Sequence, residues 1–277
     1  MQRMELHITE TVEPVAAPHG SAVALGFFDG VHLGHRAVIG AAVAAARRAG
    51  LTPAVFTFEL PEGNTLKGGR ILSRTQKHRR MAELGAREVM DPPFSAFCHL
   101  SPEAFVERIL VDCFGARQVF CGDNFTFGAR AAGNVESLQA LCARRGIGVT
   151  VVEMAGYGGK TVSSTRIRAA LEEGRLDDAN AMLGAPYAID WTVRHGKGVG
   201  TSRLGTPTIN QNYPAGTGQP CWGVYLARIR LEGRVLRGRH VQGCPPHSTL
   251  WVPRETLITQ LAADEARRRD ICIRKET

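Results

Sequence analysis

The stretch Ala22-Val23-Ala24-Leu25-Gly26-Phe27-Phe28-Asp29-Gly30-Val31-His32-Leu33-Gly34-His35 carries three signals in order. Ala22–Gly26 is a short apolar run of the kind that forms a buried strand. Gly26 and Gly30 bracket a turn. Gly34–Ala49 is Ala-rich and reads as a helix that Gly50 stops at the C′ position. A helix that starts directly after a buried strand presents unpaired N–H groups and the positive end of its dipole, an environment that favours phosphate. His32 and His35, three apart, face the same side of that helix start. Gly30 and Gly34 let backbone and ligand approach closely, and imidazoles there can donate to phosphate oxygens as charge develops. The alternatives are a helix-start loop with two exposed histidines, or a metal-binding His pair. No third ligand stands at a zinc-like spacing, so nucleotide phosphate is the better reading.

Outward from this stretch, strand and helix patterns alternate. Pro53–Phe58, Arg87–Met90, Gln118–Gly122 and Gly148–Val152 read as strands. Ser73–Leu84, a helix from Ser101 to about Phe114, and Val135–Arg145 read as helices, with Ser101 as N-cap and Pro102 at N1. This alternation predicts a parallel, doubly wound α/β sheet, a Rossmann-like domain. Two short helices follow, Ser164–Glu173 and Leu176–Leu183. From Pro186 the pattern changes to β-rich segments, Ala188–Arg194, Trp222–Leu231 and Val235–Arg239, separated by Gly and Pro turns and closed by an amphipathic helix over Pro253–Arg269. The second part reads as a small antiparallel barrel or sandwich. The expected domains are 1–186 and 187–277.

Composition narrows the class. Of 277 residues, 44% are hydrophobic and 22% charged, the balance of a globular chain rather than a disordered one. The net charge of +8 favours anionic partners. The basic runs Arg47-Arg48, Lys77-His78-Arg79-Arg80, Arg144-Arg145 and Arg267-Arg268-Arg269 are not interleaved with aromatics, so they read as solvated helix faces rather than a nucleic-acid groove. Seven cysteines with no Cys-x-x-Cys pair argue against a disulfide framework or zinc site and fit reduced thiols in the cytoplasm. The N-terminus has no apolar signal core, and no run is long enough to span a membrane. Nothing in the sequence sets an oligomeric state.

A second constellation is Val162-Ser163-Ser164-Thr165-Arg166-Ile167-Arg168. Hydroxyls precede a helix, and Arg168 lies one turn in on the same side as Ser164. Hydroxyls, free N–H groups and a guanidinium can form a phosphate clamp, although N-capping alone is the commoner use of Ser and Thr.

Together these residues resemble the nucleotidyltransferase superfamily with its His-x-Gly-His and late Ser/Arg motifs. Gly26–His35, Cys121-Gly122-Asp123-Asn124-Phe125-Thr126-Phe127-Gly128 and Ser163–Arg168 resemble three signatures of the bacterial bifunctional riboflavin kinase/FAD synthetases. The resemblance implies an N-terminal nucleotidyltransferase domain that joins ATP and FMN into FAD and pyrophosphate, with Mg2+. It implies that His32, His35, Ser164, Thr165 and Arg168 hold the triphosphate and that Asn124 arranges the two substrates. Gly26, Phe28, Asp29, Gly30, Gly34, Asp123, Thr126 and Ser163 line the same site. One departure stands at Phe56-Thr57-Phe58-Glu59-Leu60-Pro61, where the family usually has a proline in place of Leu60.

The Gly-rich run His195–Asn210 resembles the riboflavin kinase signature. That implies phosphate contacts at Gly198 and Gly200, and magnesium and ATP held by Thr208 and Asn210. Thr206 and Ile209 depart from the signature. The strands that carry the family's catalytic Glu have no counterpart between Pro245-Pro246 and the helix at Pro253. The expectation is FMN adenylylation fused to a shortened kinase module of weak or absent activity. The alternative is a flavin- or nucleotide-binding regulatory protein. The expected partners are small molecules, without nucleic acid or membrane.

Overall fold

The computed structural model describes residues 6–61, 69–190, 193–194, 210–211, 216–221, 223–231, 234–242, 249–252 and 272–275. By contact the chain divides into two compact units, one of residues 1–168, 177–189 and 215–218, the other of the remainder.

The first unit is built on six strands: β1 (His7–Thr9), β2 (Ser21–Leu25), β3 (Thr52–Phe56), β4 (Glu88–Met90), β5 (Ala116–Gly122) and β6 (Gly148–Val152). They form one sheet in the order β1-β4-β3-β2-β5-β6, every pairing parallel. A parallel sheet needs cover on both faces, so a central strand is apolar throughout. All five residues of β2 are buried, and its one polar member, Ser21, donates its hydroxyl to the Phe114 carbonyl at 2.7 Å. α1 (Leu33–Ala49) packs on β2, β3 and β5 and touches α2 (Arg74–Leu84). It buries Val38, Ile39, Ala42, Val43 and Ala46, and Gly50 ends it in the left-handed region at φ 67°.

The rest of the core is made by the strands with α3 (Pro102–Phe105), its continuation Val106–Cys113 and α4 (Val135–Ala143). The segment from Ser101 to Phe114 is not the single α-helix that its sequence predicts. After one α-turn it becomes a π-helix over Val106–Cys113. Val106, Ile109, Leu110 and Cys113 of this segment are buried, as are Phe105 and Phe114 at its two ends. Phe56 meets Phe97, Phe105 and Phe114 edge-on, with centroids 5.1–6.4 Å apart.

The chain runs from β2 through β3 to β4 on one side, then returns to β5 and β6 on the other. The strand order therefore reverses between β2 and β5. In open α/β sheets the crevice outside the carboxyl ends at such a point is where ligands bind. The loops leaving β2 and β5 hold Gly26–His32 and Asp123–Gly128.

A small hairpin, β7 (Gly156–Tyr157) with β8 (Lys160–Thr161), precedes α5 (Ser164–Glu172) and α6 (Leu176–Leu183). Neither this hairpin nor β1 is signalled in the sequence, because each is too short for a period-two pattern to register.

In the second unit, β9 (Val193–Arg194) pairs antiparallel with β10 (Asn210–Gln211), and β11 (Gly223–Leu231) with β12 (Arg234–Gln242). β13 (Thr249–Val252) and β14 (Cys272–Lys275) pair parallel, unlike the all-antiparallel module expected. A parallel pair needs a crossover of a dozen or more residues, and 253–271 are available for one. The helix expected over Pro253–Arg269 lies outside the described residues.

Phe114 is fully buried at the meeting of strands and π-helix. Phe114→Ala is expected to lower unfolding free energy by about 3–5 kcal/mol. Urea denaturation followed by circular dichroism should show a lower midpoint at an unchanged slope.

Candidate active site

The turn after β2 is held in a conformation that few residues adopt. Gly30 has φ 84°, and Phe28 and Val31 stand at φ 54° and 43° without being glycine. For a β-branched residue such as Val31 this is strain, which persists only where surroundings impose it. Asp29 imposes it. Its carboxylate is 5% exposed. It accepts from Arg168 Nη2 at 2.6 Å and from the Ile71 N–H at 2.9 Å. The Asp29 carbonyl accepts from Ser164 Oγ at 3.0 Å. Arg168 also donates through Nε to the Gly69 carbonyl at 2.6 Å. Burial pushes the Asp29 carboxyl above its ordinary range, against the pull of the Arg168 charge and the Ile71 N–H. Two motifs distant in sequence are thus bonded directly to each other. Arg80, on α2, caps the turn from another side by donating to the Gly30 carbonyl at 3.1 Å.

The two histidines open α1. His32 is its N-cap, and its Nδ1 accepts from the His35 N–H at 3.4 Å. The rings stack at 3.5 Å between centroids, and Phe28 meets His35 edge-on at 5.3 Å. Because His32 Nδ1 is used as an acceptor, the proton of the neutral ring sits on Nε2, leaving that N–H to donate. Burial holds His32 down to about 4. Burial, and then the neighbouring His32, hold His35 well below the ordinary imidazole range. His35 Nδ1 is buried without a hydrogen-bond partner, a polar atom turned toward no protein group.

The loop after β5 is brought beside this turn. Met154 lies within 3.3 Å of where a Cβ would stand on both Gly34 and Gly122. Asp123, Asn124 and Thr126 are exposed there, while Phe127 is buried in the core and stacks on Phe125. On α5, Ser163 Oγ accepts from the Arg166 N–H at 3.3 Å, Ser164 is half-buried and Thr165 is exposed. Gly26 is crowded, since a Cβ there would meet the Phe28 ring at 2.8 Å. Gly198, Gly200 and Thr208 lie outside the described residues. Asn210, in β10, pairs with Arg194 of β9 and belongs to the second unit.

One reading of the sequence needs correction. The run Lys77-His78-Arg79-Arg80 is not a solvated face, because Lys77, His78 and Arg80 are 5–7% exposed and only Arg79 faces out. Arg80 is held by the Gly30 and Pro186 carbonyls, and Lys77 and His78 by a fully buried carboxylate, Asp91. Lys77 and His78 bond it at 3.1 and 2.6 Å, and Arg74 at 2.9 Å. The other described runs, Arg47-Arg48 and Arg144-Arg145, are exposed as expected. At the Leu60 departure, the loop is held without the proline. Leu60 is 6% exposed and its carbonyl accepts from Arg70 Nη2 at 2.8 Å. Asp91 and Thr57 carried no motif that could have marked them.

Among the described residues no group of three or more His, Cys, Asp or Glu side chains could hold a metal ion. No described helix is long and apolar enough to cross a membrane. Cys98, Cys113, Cys121, Cys142 and Cys221 are free thiols, and burial pushes Cys121 and Cys142 up to about 11.

Comparison with known proteins places the chain in a family. A family model for FAD synthetase matches residues 15–166 and one for riboflavin kinase matches residues 183–264. The bifunctional riboflavin kinase/FMN adenylyltransferase of Listeria monocytogenes is 36% identical over 222 residues, covering 78% of this chain and 70% of that one. The chain belongs to the bifunctional riboflavin kinase/FMN adenylyltransferase family. Relatives of the same name in Bacillus subtilis and Escherichia coli are 32% and 34% identical, covering 84% and 77% of this chain and 75% and 69% of theirs. Among solved structures, one described as a macrolide-efflux protein from Streptococcus pneumoniae superposes with a TM-score of 0.73 at 27% identity, over 84% of this chain and 77% of that one. The efflux activity in its description is said of that protein.

In an unfolded chain of this family member the two imidazoles titrate near the ordinary value of about 6.5. The folded site keeps them neutral well below that. Their contribution to stability is therefore present in full above pH 6.5 and is lost as pH falls toward the His32 value of about 4. Melting temperatures measured from pH 7.5 down to 4.5 should fall less steeply in a His32→Gln/His35→Gln variant than in the wild type.

Proposed function

We propose that the cluster of Gly26–His35, Asp123–Thr126 and Ser163–Arg168 is the site where AMP passes from ATP to FMN. The chain is an enzyme with an FAD synthetase domain and a riboflavin kinase domain, and ATP, FMN and riboflavin are its substrates. The observation that carries the site assignment is the pair of bonds from Ser164 and Arg168 to Asp29. They join both phosphate-type motifs at the carboxyl ends of β2 and β5, where the sheet reverses.

In this reading an oxygen of the FMN phosphate attacks the α-phosphorus of ATP. The bond from that phosphorus to the β-phosphate bridging oxygen breaks, and pyrophosphate leaves. The attacking oxygen is already deprotonated, so no general base and no covalent enzyme intermediate is needed. The protein positions reactants and stabilises charge. His32 and His35 donate N–H groups to the triphosphate. Ser163, Ser164 and Thr165 add hydroxyls and the start of α5. Arg168 belongs to the clamp and holds Asp29 in place. Asn124, with Asp123 and Thr126, orders FMN against ATP. Gly26, Phe28, Gly30 and Gly34 shape the floor. Magnesium accompanies ATP and is bound mainly through phosphate oxygens. In the kinase module, Gly198 and Gly200 would approach phosphate, and Thr208 and Asn210 would hold magnesium.

The same reading sets the domain boundary near residue 186, with 1–186 for adenylylation and 187–277 for the kinase module. It also places the chain in the cytoplasm, working on small molecules without a nucleic-acid or membrane partner. Buried, high-pKa thiols suit a reducing compartment. No observation favours the regulatory-protein alternative.

His32→Ala or His35→Ala is expected to lower FAD formation by about 10²-fold, the scale of losing one charge-stabilising donor. Chromatography of flavins after incubation with FMN and Mg-ATP measures it, and near-normal turnover in either variant would sink the assignment. A second assay supplies riboflavin in place of FMN. Without a residue placed as base for the riboflavin hydroxyl, FMN formation should run well below FAD formation. Robust riboflavin phosphorylation, abolished by Thr208→Ala or Asn210→Ala, would show a fully working kinase module instead.

A further inference from the structure

Beneath the turn after β2 lies a buried charge cluster that the reaction described above does not use. Asp91 stands at the carboxyl end of β4 and is fully buried. Arg74, Lys77 and His78 reach it from one face of α2, at i, i+3 and i+4. Burial alone would raise the Asp91 carboxyl. The His78 hydrogen bond and the Lys77 and Arg74 charges outweigh that and hold it at about 2. Glu59 lies on the segment that leaves β3, and binds Arg70 at 2.8 Å and Lys77 at 3.0 Å.

Lys77 is the member with the widest reach. Its ammonium, on a side chain 6% exposed, touches Asp91 Oδ1, Glu59 Oε1, the Phe58 carbonyl and Thr57 Oγ1, the last at 3.4 Å. Thr57 is fully buried and its hydroxyl donates to the Phe27 carbonyl at 2.8 Å. An ammonium can only donate, and a hydroxyl that donates to a carbonyl still has lone pairs to accept with, so the two bonds at Thr57 are mutually consistent. The result is a continuous line of polar contacts from the end of β4, through the end of β3, to the backbone of the turn beside Asp29. Lys77 also lies 5.9 Å from the centre of the Phe27 ring, and Phe27 packs on Phe58 at 4.9 Å.

We propose that Lys77 and Thr57 are positioning residues for adenylyl transfer, a strut that transmits the fixed position of Asp91 to the Phe27 carbonyl and so aims the turn that carries the His pair. This rests on the adenylylation site described above. The strut touches no reacting atom. It acts on the geometry of donors that matter when charge develops, so its loss falls on kcat more than on KM.

The test uses the purified full chain, Mg-ATP and FMN, well below the melting temperature. Thr57→Val keeps the shape of the side chain and removes only its hydroxyl. It is expected to lower kcat for FAD formation about tenfold, with both KM values within about twofold of wild type. Lys77→Met should lose at least as much. The double variant should lose no more than Lys77→Met alone, because both changes cut the same line. If Lys77→Met fails to fold, Thr57→Val decides alone. Wild-type kcat in folded Thr57→Val, or losses that multiply in the double variant, would overturn the strut. A wild-type chain that makes no FAD would overturn the site reading itself, which separates the two failures.

Discussion

The site depends on one buried ion pair. Asp29 and Arg168 meet at 2.6 Å, across 139 residues of sequence, and both are nearly removed from solvent. A buried charge without its partner is costly, so each fixes the other. Asp29 is the residue between the strained Phe28 and the left-handed Gly30, and its carbonyl also accepts from Ser164. The ion pair therefore does two things at once. It keeps the turn in a conformation that its own residues disfavour, and it fastens the start of α5 beside the start of α1. Two helix N-termini with hydroxyl and imidazole groups then converge on one place.

The electrostatics around that place are divided. On the β3 and β4 side, cations from α2 are matched by Glu59 and Asp91, so the charge there is already satisfied. At the α1 start the imidazoles are kept neutral by burial, and one ring nitrogen of His35 has no partner. Compensated charge fixes the scaffold on one side, and neutral, buried imidazoles stand on the other.

The fold of the first unit was legible because its period is strong. Ala22–Leu25, the Ala-rich α1 and its Gly50 stop left little choice, and the observed β2 and α1 differ from the reading by a residue at their ends. The motifs were legible because glycines, histidines and hydroxyls gathered at helix starts are rare enough together to stand out. The segment 101–114 was less so. An apolar pattern cannot tell an α-turn from a wider π-turn, since the choice is made by how Phe105, Ile109 and Phe114 fill the space beneath the sheet.

The sequence by itself determined the alternation of strand and helix, and it marked Gly26–His35 and Ser163–Arg168 as the candidate phosphate motifs. The tertiary structure decided what each charge does. Arg168 reads as a clamp residue in sequence and is found bound to Asp29. Lys77 and His78 read as part of a solvated face and are found buried against Asp91. Such roles follow from partners brought close only by the order of strands β4, β3, β2 and β5, and local sequence carries no record of which distant carboxylate a cation will meet.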